Sequence, residues 1–308
     1  MANAREWLEG ARVRTLTVSA SPVVAGTAVA WFASSPGPSP LLLVAALCLV
    51  VGLGMQVGCN YANDYSDGIR GTDAHRVGPA RLVGSGAARP AAVKRAALIS
   101  FAVACLAGIA LVVRPGAYPS PVAPVAIVAV GAACVVAAWF YTGGRRPYGY
   151  AGLGEVFVFV FFGLVATIGT AFVLAPSGLA WVPAVVTGVV MGLFAVAVLV
   201  ANNLRDIPTD AMSGKLTLPV RLGDRRTRFF YVGLLALAGA GIVVLAGVTT
   251  WFALAGLAGL VLLWPSCRRV MSGASGVALV HVLKLTGIAE LVTAVLLGAG
   301  LAIGLAHG

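Results

Sequence analysis

Ten carboxylates serve 308 residues, and six of them fall in two short segments, 60–90 and 202–228. The first segment opens Asn60-Tyr-Ala-Asn63-Asp64-Tyr-Ser-Asp67-Gly-Ile-Arg70-Gly-Thr-Asp73. The second opens Asn202-Asn203-Leu-Arg205-Asp206-Ile-Pro-Thr-Asp210. Both begin with Asn-x-x-x-Asp, so Asn60 lies over Asp64, and Asn202 over Asp206, on one face of a helix. Each acidic stretch then runs into basic residues, Arg76 and Arg81 in one and Lys215 and Arg221 in the other. Amide and carboxylate oxygens suit a hard divalent cation, which keeps several waters and is shared between a few carboxylates and substrate phosphates. Guanidinium and ammonium groups take the remaining phosphate oxygens. The pattern therefore predicts Mg²⁺, with Mn²⁺ as a substitute, held by Asn60, Asp64, Asp67, Asp73, Asn202, Asp206 and Asp210. Arg76, Arg81 and Lys215, with Asn60 and Asn202, are the candidates for gripping a diphosphate. The plainer reading, solvated loop carboxylates neutralising loop arginines, does not account for two matching clusters.

A third polar segment runs from Tyr141 through Arg145, Arg146, Tyr148 and Tyr150 to Glu155. Arg146 is the candidate for an aromatic substrate's carboxylate, with Tyr141 and Glu155 beside it, and Tyr148 could face a developing cation. The alternative is an interfacial aromatic belt with topogenic arginines.

The elements that must carry these groups follow from composition. Hydrophobic residues make up 60% and charged residues 10%, with a mean hydropathy of +0.98. That excludes a soluble domain, a disordered chain and a disulfide scaffold, and long apolar runs exclude a bacterial-type β-barrel. The expectation is an all-α polytopic membrane protein, one domain over residues 1–308, whose helices surround a central cavity under a cap of cytoplasmic loops. Residues 15–63 and 156–204 carry no charge or His; each run of 49 residues holds two spans and a turn. Nine spans are predicted: about 14–34, 41–63, 95–113, 121–141, 153–174, 181–204, 228–247, 250–266 and 284–305. Pseudo-repeat halves then fall at about 14–141 and 153–266, plus a final helix. The charged opening segment before a spanning run argues against a cleaved leader.

With the N-terminus cytoplasmic and the C-terminus outside, 20 of the 21 Lys and Arg residues lie inside, and only Arg114 lies outside. This split supports a plasma-membrane protein, explains the net charge of +11 and leaves no call for nucleic acid. The five cysteines sit in or beside apolar runs and read as small buried residues.

Together these residues resemble the UbiA superfamily of intramembrane aromatic prenyltransferases, with its nine helices and two Asp-rich motifs. Asp206-x-x-x-Asp210 matches the second motif; the first departs in spacing, with acids at Asp67 and Asp73 after Asp64. Asn63-Asp-Tyr-Ser-Asp-Gly-Ile-Arg-Gly-Thr-Asp73, Arg76-Val-Gly-Pro-Ala-Arg-Leu-Val83 and Arg146-Pro-Tyr-Gly-Tyr-Ala-Gly-Leu-Gly-Glu155 look like the branch acting on 1,4-dihydroxy-2-naphthoate in menaquinone synthesis. The resemblance implies catalytic roles for Asp64, Asp67, Asp206, Asp210 and Tyr148. It also implies a polyprenyl diphosphate donor drawn from membrane lipid, and loss of diphosphate and CO₂. A different acceptor ring is the near alternative. A cation-coupled transporter is the distant one, disfavoured because the acids sit at one face of the membrane.

Overall fold

The computed structural model describes residues 2–35, 37–72 and 81–307, which form helices joined by turns and contain no strand. A short helix α1 (Ala4–Gly10) opens the chain, stabilised by a reciprocal capping box between Asn3 and Glu6. There follow α2 (Thr17–Ser34), α3 (Pro38–Arg70), α4 (Pro90–Val112) and α5 (Val122–Phe140). Then come α6 (Gly154–Leu174), α7 (Trp181–Met212), α8 (Leu218–Val248), a bent α9 (Trp251–Val261 and Trp264–Met271, 44° apart) and α10 (Val277–His307). Eight of these are long and apolar enough to cross a membrane, and nine if the bent α9 counts as one span. Eight of the nine expected spans therefore fall on single long helices, and the remaining one, 250–266, falls on the bent α9. Helix α9 also runs on to Met271, five residues past the expected 266.

The helices α3, α7, α8 and α10 overrun the apolar limits at one end. Hydropathy stops at 63 and 204, whereas the helices continue to Arg70 and Met212. Likewise α8 starts at Leu218 and α10 at Val277, not near 228 and 284. A charge marks where apolar solvent ends, and the backbone keeps its hydrogen bonds beyond that point. Termination needs its own signal: Gly71, at φ +70°, closes α3 with a left-handed cap, and Pro90 and Pro219 sit in the first turns of α4 and α8. Asn60–Asp67 and Asn202–Asp210 are consequently helical, on overhangs instead of loops. A second left-handed glycine, Gly223, kinks α8 between its first turn and its long limb.

The main core lies among α2, α7, α8 and α10, with Phe194, Met191, Tyr231, Ile242 and Leu297 fully buried. Helix α6 crosses α7 closely: a Cβ on Gly163 would stand 2.4 Å from the Gly192 Cα. At this crossing residues Phe159–Val165 wind as a π-helix, which turns Phe161, Phe162, Leu164 and Val165 toward a central cavity. Helix α5 packs chiefly on α3 and α4 and lines the opposite wall. Among the described residues every Lys and Arg except Arg114 lies at the end of the bundle that carries the two overhangs.

Candidate active site

A cavity of about 930 Å³ runs between α2, α3, α5, α6 and α7. Its body is apolar, from Val23 and Leu111 to Phe161 and Phe172, and its polar groups gather at the overhang end. Asn60, Asn63, Asp64 and Asp67 follow at spacings of three, four and seven, so they share one stripe of α3. Asp64 and Asp67 are 0% and 2% exposed, and Asp206 on α7 is 5% exposed. Carboxylates so buried require partners.

Asp64 finds them in the chain. The Leu82 and Val83 amides donate to its two oxygens at 2.8 and 2.9 Å. Gly68 admits Val83 against α3, where a Cβ would sit 2.3 Å from the valine Cγ1. Asp64 thus fastens the turn after the overhang, and its side chain does not line the cavity. Each Asp64 oxygen already accepts one backbone amide, which engages this expected metal ligand in holding the turn. Asp67, one turn on, does line the cavity and joins three segments. Lys215 Nζ lies 3.0 Å and Arg81 Nη2 3.7 Å from its Oδ2, and the Tyr150 hydroxyl donates to Oδ1 at 2.5 Å. The Tyr150 carbonyl in turn accepts the Leu216 amide at 3.0 Å. Burial first, and then the Asp67 charge, push the Tyr150 phenol up, so it remains a proton donor. Arg70 donates to the Thr142 and Gly144 carbonyls and covers the Tyr150 ring at 5.5 Å, tying the third segment to α3.

On α7, Arg205 forks onto Asp206, with Nε to Oδ1 and Nη2 to Oδ2 both at 2.7 Å, and reaches Asn202 Oδ1 at 2.9 Å. Asn202, Asn203, Asp206 and Asp210 all line the cavity that Asp67 enters. Glu155 does not line it; it accepts the Asn203 side-chain amide at 3.1 Å and so positions that residue. Asn60 lines the cavity, but its amide group is engaged: it donates to the Ala11 carbonyl at 2.9 Å and accepts from Gln56 at 3.2 Å. Asn63, which matches Asp67 at the same spacing of four, also lines the cavity and accepts from the Thr142 hydroxyl at 2.8 Å.

The aromatic wall comes from the third segment. Tyr148 stacks on Phe157 with centroids 3.8 Å apart, meets Tyr141 edge-on at 5.5 Å, and donates to the Ala137 carbonyl at 2.7 Å. Burial pushes the Tyr148 phenol up. Tyr148 lines the cavity with its hydroxyl engaged by that carbonyl. Arg146 is exposed and off the cavity, so the expectation that it grips an acceptor is not met by the geometry. Asp73 and Arg76 lie outside the described residues. Three participants carried no sequence signal: Tyr150 and Arg70, which depend on loop conformation, and Arg12, which lines the cavity from the bend after α1.

No group of three His, Cys, Asp or Glu side chains among the described residues could hold an ion unaided. Instead two oxygen-bearing pairs open on one space, Asp67 with the amide of Asn63 and Asp206 with Asp210. That donor set fits Mg²⁺, which demands oxygen ligands but few of them from protein when phosphates supply the rest.

The UbiA prenyltransferase family matches residues 19–278. The chain is 48% identical over 305 residues to the 1,4-dihydroxy-2-naphthoate octaprenyltransferase of Mycobacterium tuberculosis, covering 99% of both chains. It is 39% identical over 231 residues to the enzyme of that name in Escherichia coli, covering 74% of this chain and 72% of that one. A UbiA homologue from Archaeoglobus fulgidus, solved bound to GPP and Mg²⁺, superposes with a TM-score of 0.66 at 12% identity, covering 96% of this chain and 99% of that one. The transporter alternative finds no support in these matches. The chain belongs to the UbiA prenyltransferase family and is a multi-pass membrane enzyme of prenyl transfer.

Proposed function

We propose that this protein transfers a polyprenyl chain from polyprenyl diphosphate to 1,4-dihydroxy-2-naphthoate, with release of diphosphate and CO₂, as a step of menaquinone synthesis. One observation carries the reading: three carboxylates, Asp67, Asp206 and Asp210, and two cations, Arg81 and Lys215, line one end of a long apolar cavity. A diphosphate needs the polar end, and a polyprenyl tail needs the apolar body. The relatives' shared name supplies the acceptor.

Asn63, Asp67, Asp206 and Asp210 would hold Mg²⁺, which when bound neutralises the departing diphosphate. Arg81 and Lys215 now share Asp67 and stand ready to turn to phosphate oxygens. Asp64 keeps Arg81 in place by holding the turn that carries it. The Tyr148–Phe157 stack offers its π-face to the allylic carbon as positive charge develops there. The apolar body excludes water, which would otherwise capture that carbon.

The reading is tested by giving the purified protein, in lipid, a polyprenyl diphosphate and a panel of aromatic acids. 1,4-Dihydroxy-2-naphthoate should be prenylated well above 4-hydroxybenzoate and homogentisate. Preference for either of those would move the protein to another branch of its family.

We further place the overhang end in the cytoplasm of a plasma-membrane protein, on the concentration of basic residues there. In a cysteine-free background, cysteines at Ser85 and Ser213 should resist an impermeant thiol reagent in intact spheroplasts. Labelling of either position from outside contradicts this orientation.

A further inference from the structure

Among the described residues three cationic side chains line the cavity: Arg81, Lys215 and Arg12. The first two meet at Asp67. Arg12 has φ 54° and ψ 53°, a left-handed conformation that a residue with a Cβ adopts only when its surroundings impose it. Here the imposing groups are visible. The Arg12 amide donates to the Glu9 carbonyl at 3.0 Å, and the Thr15 amide and hydroxyl both donate to the Arg12 carbonyl, at 2.8 and 2.9 Å. Just before the bend, the Ala11 carbonyl accepts the buried Asn60 amide at 2.9 Å. A chain of side chains, Ser19 to Gln56 to Asn60, extends that contact back to α2. Trp7 is pinned as well, its carbonyl accepting the Tyr61 hydroxyl at 2.8 Å.

This bracing has a specific outcome. Arg5 and Arg14 of the same segment are exposed, whereas Arg12 is turned into the cavity. Its carbonyl-side anchor, Asn60, precedes Asp67 by seven residues of α3, about 10 Å along the helix axis at 1.5 Å per residue. The bend that bears Arg12 is therefore anchored about two turns of α3 before Asp67, and Tyr141, expected above to lie beside the acceptor, lines the same cavity. Its field reaches Tyr141, where it opposes the rise that burial and Glu155 impose on that phenol.

We propose that Arg12 binds the carboxylate of the aromatic acceptor. A planar guanidinium matches a carboxylate with two parallel hydrogen bonds, which favours an acid over a neutral ring. Loss of the carboxylate as CO₂ then removes the contact and favours departure of the neutral product. This assignment rests on the transferase reading above and replaces the exposed Arg146 in that role.

The test uses the full-length protein in lipid with Arg12→Gln and Arg12→Lys, each checked for wild-type thermal stability. Steady-state constants are measured separately for donor and acceptor, and binding of 2-naphthoate and of uncharged 2-naphthamide is measured directly. Arg12→Gln should raise the acceptor KM roughly 10- to 100-fold, the loss expected for charge-assisted hydrogen bonds, with the donor KM within about twofold of wild type. Arg12→Lys should fall between, because it keeps the charge and loses the fork. Wild type should prefer the acid to the amide, and Arg12→Gln should lose that preference. A rise in the donor KM instead would assign Arg12 to the diphosphate and overturn the proposal. Unchanged constants, or a fall in kcat with both KM values intact, would overturn it too. If Arg12→Gln does not fold, the comparison of Arg12→Lys with wild type decides on the same criteria. Naphthoate binding that depends on Arg12 without any prenyl transfer would count against the transferase reading alone.

Discussion

Asp67→Asn lowers turnover by about a hundred- to a thousandfold while the protein still inserts and purifies, and Asp206→Asn does the same. Each change removes one negative charge from the space where Mg²⁺ and diphosphate would meet, and losing one preorganised electrostatic contact in a water-poor site costs on that scale. Asparagine retains volume, and at Asp67 its carbonyl still accepts the Tyr150 hydroxyl. What it cannot do is balance Lys215 and Arg81, which then repel one another in a buried setting. Asp64→Ala behaves differently. It strands the buried Leu82 amide, a cost of about 1–3 kcal/mol, and leaves the half-buried Val83 amide without its acceptor. The result should be a lower melting temperature and a raised donor KM through loosened placement of Arg81, and not a pure loss of kcat. Stability and steady-state constants measured on the three variants separate the two roles. Equal, purely kinetic defects in all three would restore Asp64 to the metal-holding set.

Removal of divalent metal abolishes turnover. Carboxylates alone repel a diphosphate, and among the described residues Arg81 and Lys215 already pair with Asp67. Activity should vanish in EDTA and return with Mg²⁺ or Mn²⁺, whereas Ca²⁺, larger and less strict in geometry, should restore it poorly. Residual turnover in EDTA after verified metal removal would contradict the use made of Asp67, Asp206 and Asp210.

Much of this architecture is legible in the chain because a membrane imposes length and polarity together. Span positions, the lopsided distribution of Arg and Lys and the two acidic clusters all follow from that constraint. The phase of the first motif does not. Asn60 with Asp64, and Asn63 with Asp67, have the same spacing on the same helix, and only tertiary packing shows that the second pair enters the cavity while Asp64 turns to the Leu82 and Val83 amides. Hydropathy also misplaces the inner ends of α3 and α7, since it registers where lipid stops and says nothing about caps. Loop-borne groups were the least visible. Arg146 lies in the polar segment where the pattern places a carboxylate grip, whereas Arg12 carries no such pattern and reaches the cavity through one left-handed bend held from α3 by Asn60. Tyr150 reaches Asp67 only because the Leu216 amide fixes its backbone, a contact between residues far apart in sequence.

The most direct measurement follows the carboxyl carbon. The protein in lipid, supplied with Mg²⁺, polyprenyl diphosphate and 1,4-dihydroxy-2-naphthoate labelled in its carboxylate, should release one labelled CO₂ for every prenylated naphthoquinol formed, and none when the donor is withheld. Prenylated product that retains the label, or CO₂ release without prenyl transfer, would contradict the account.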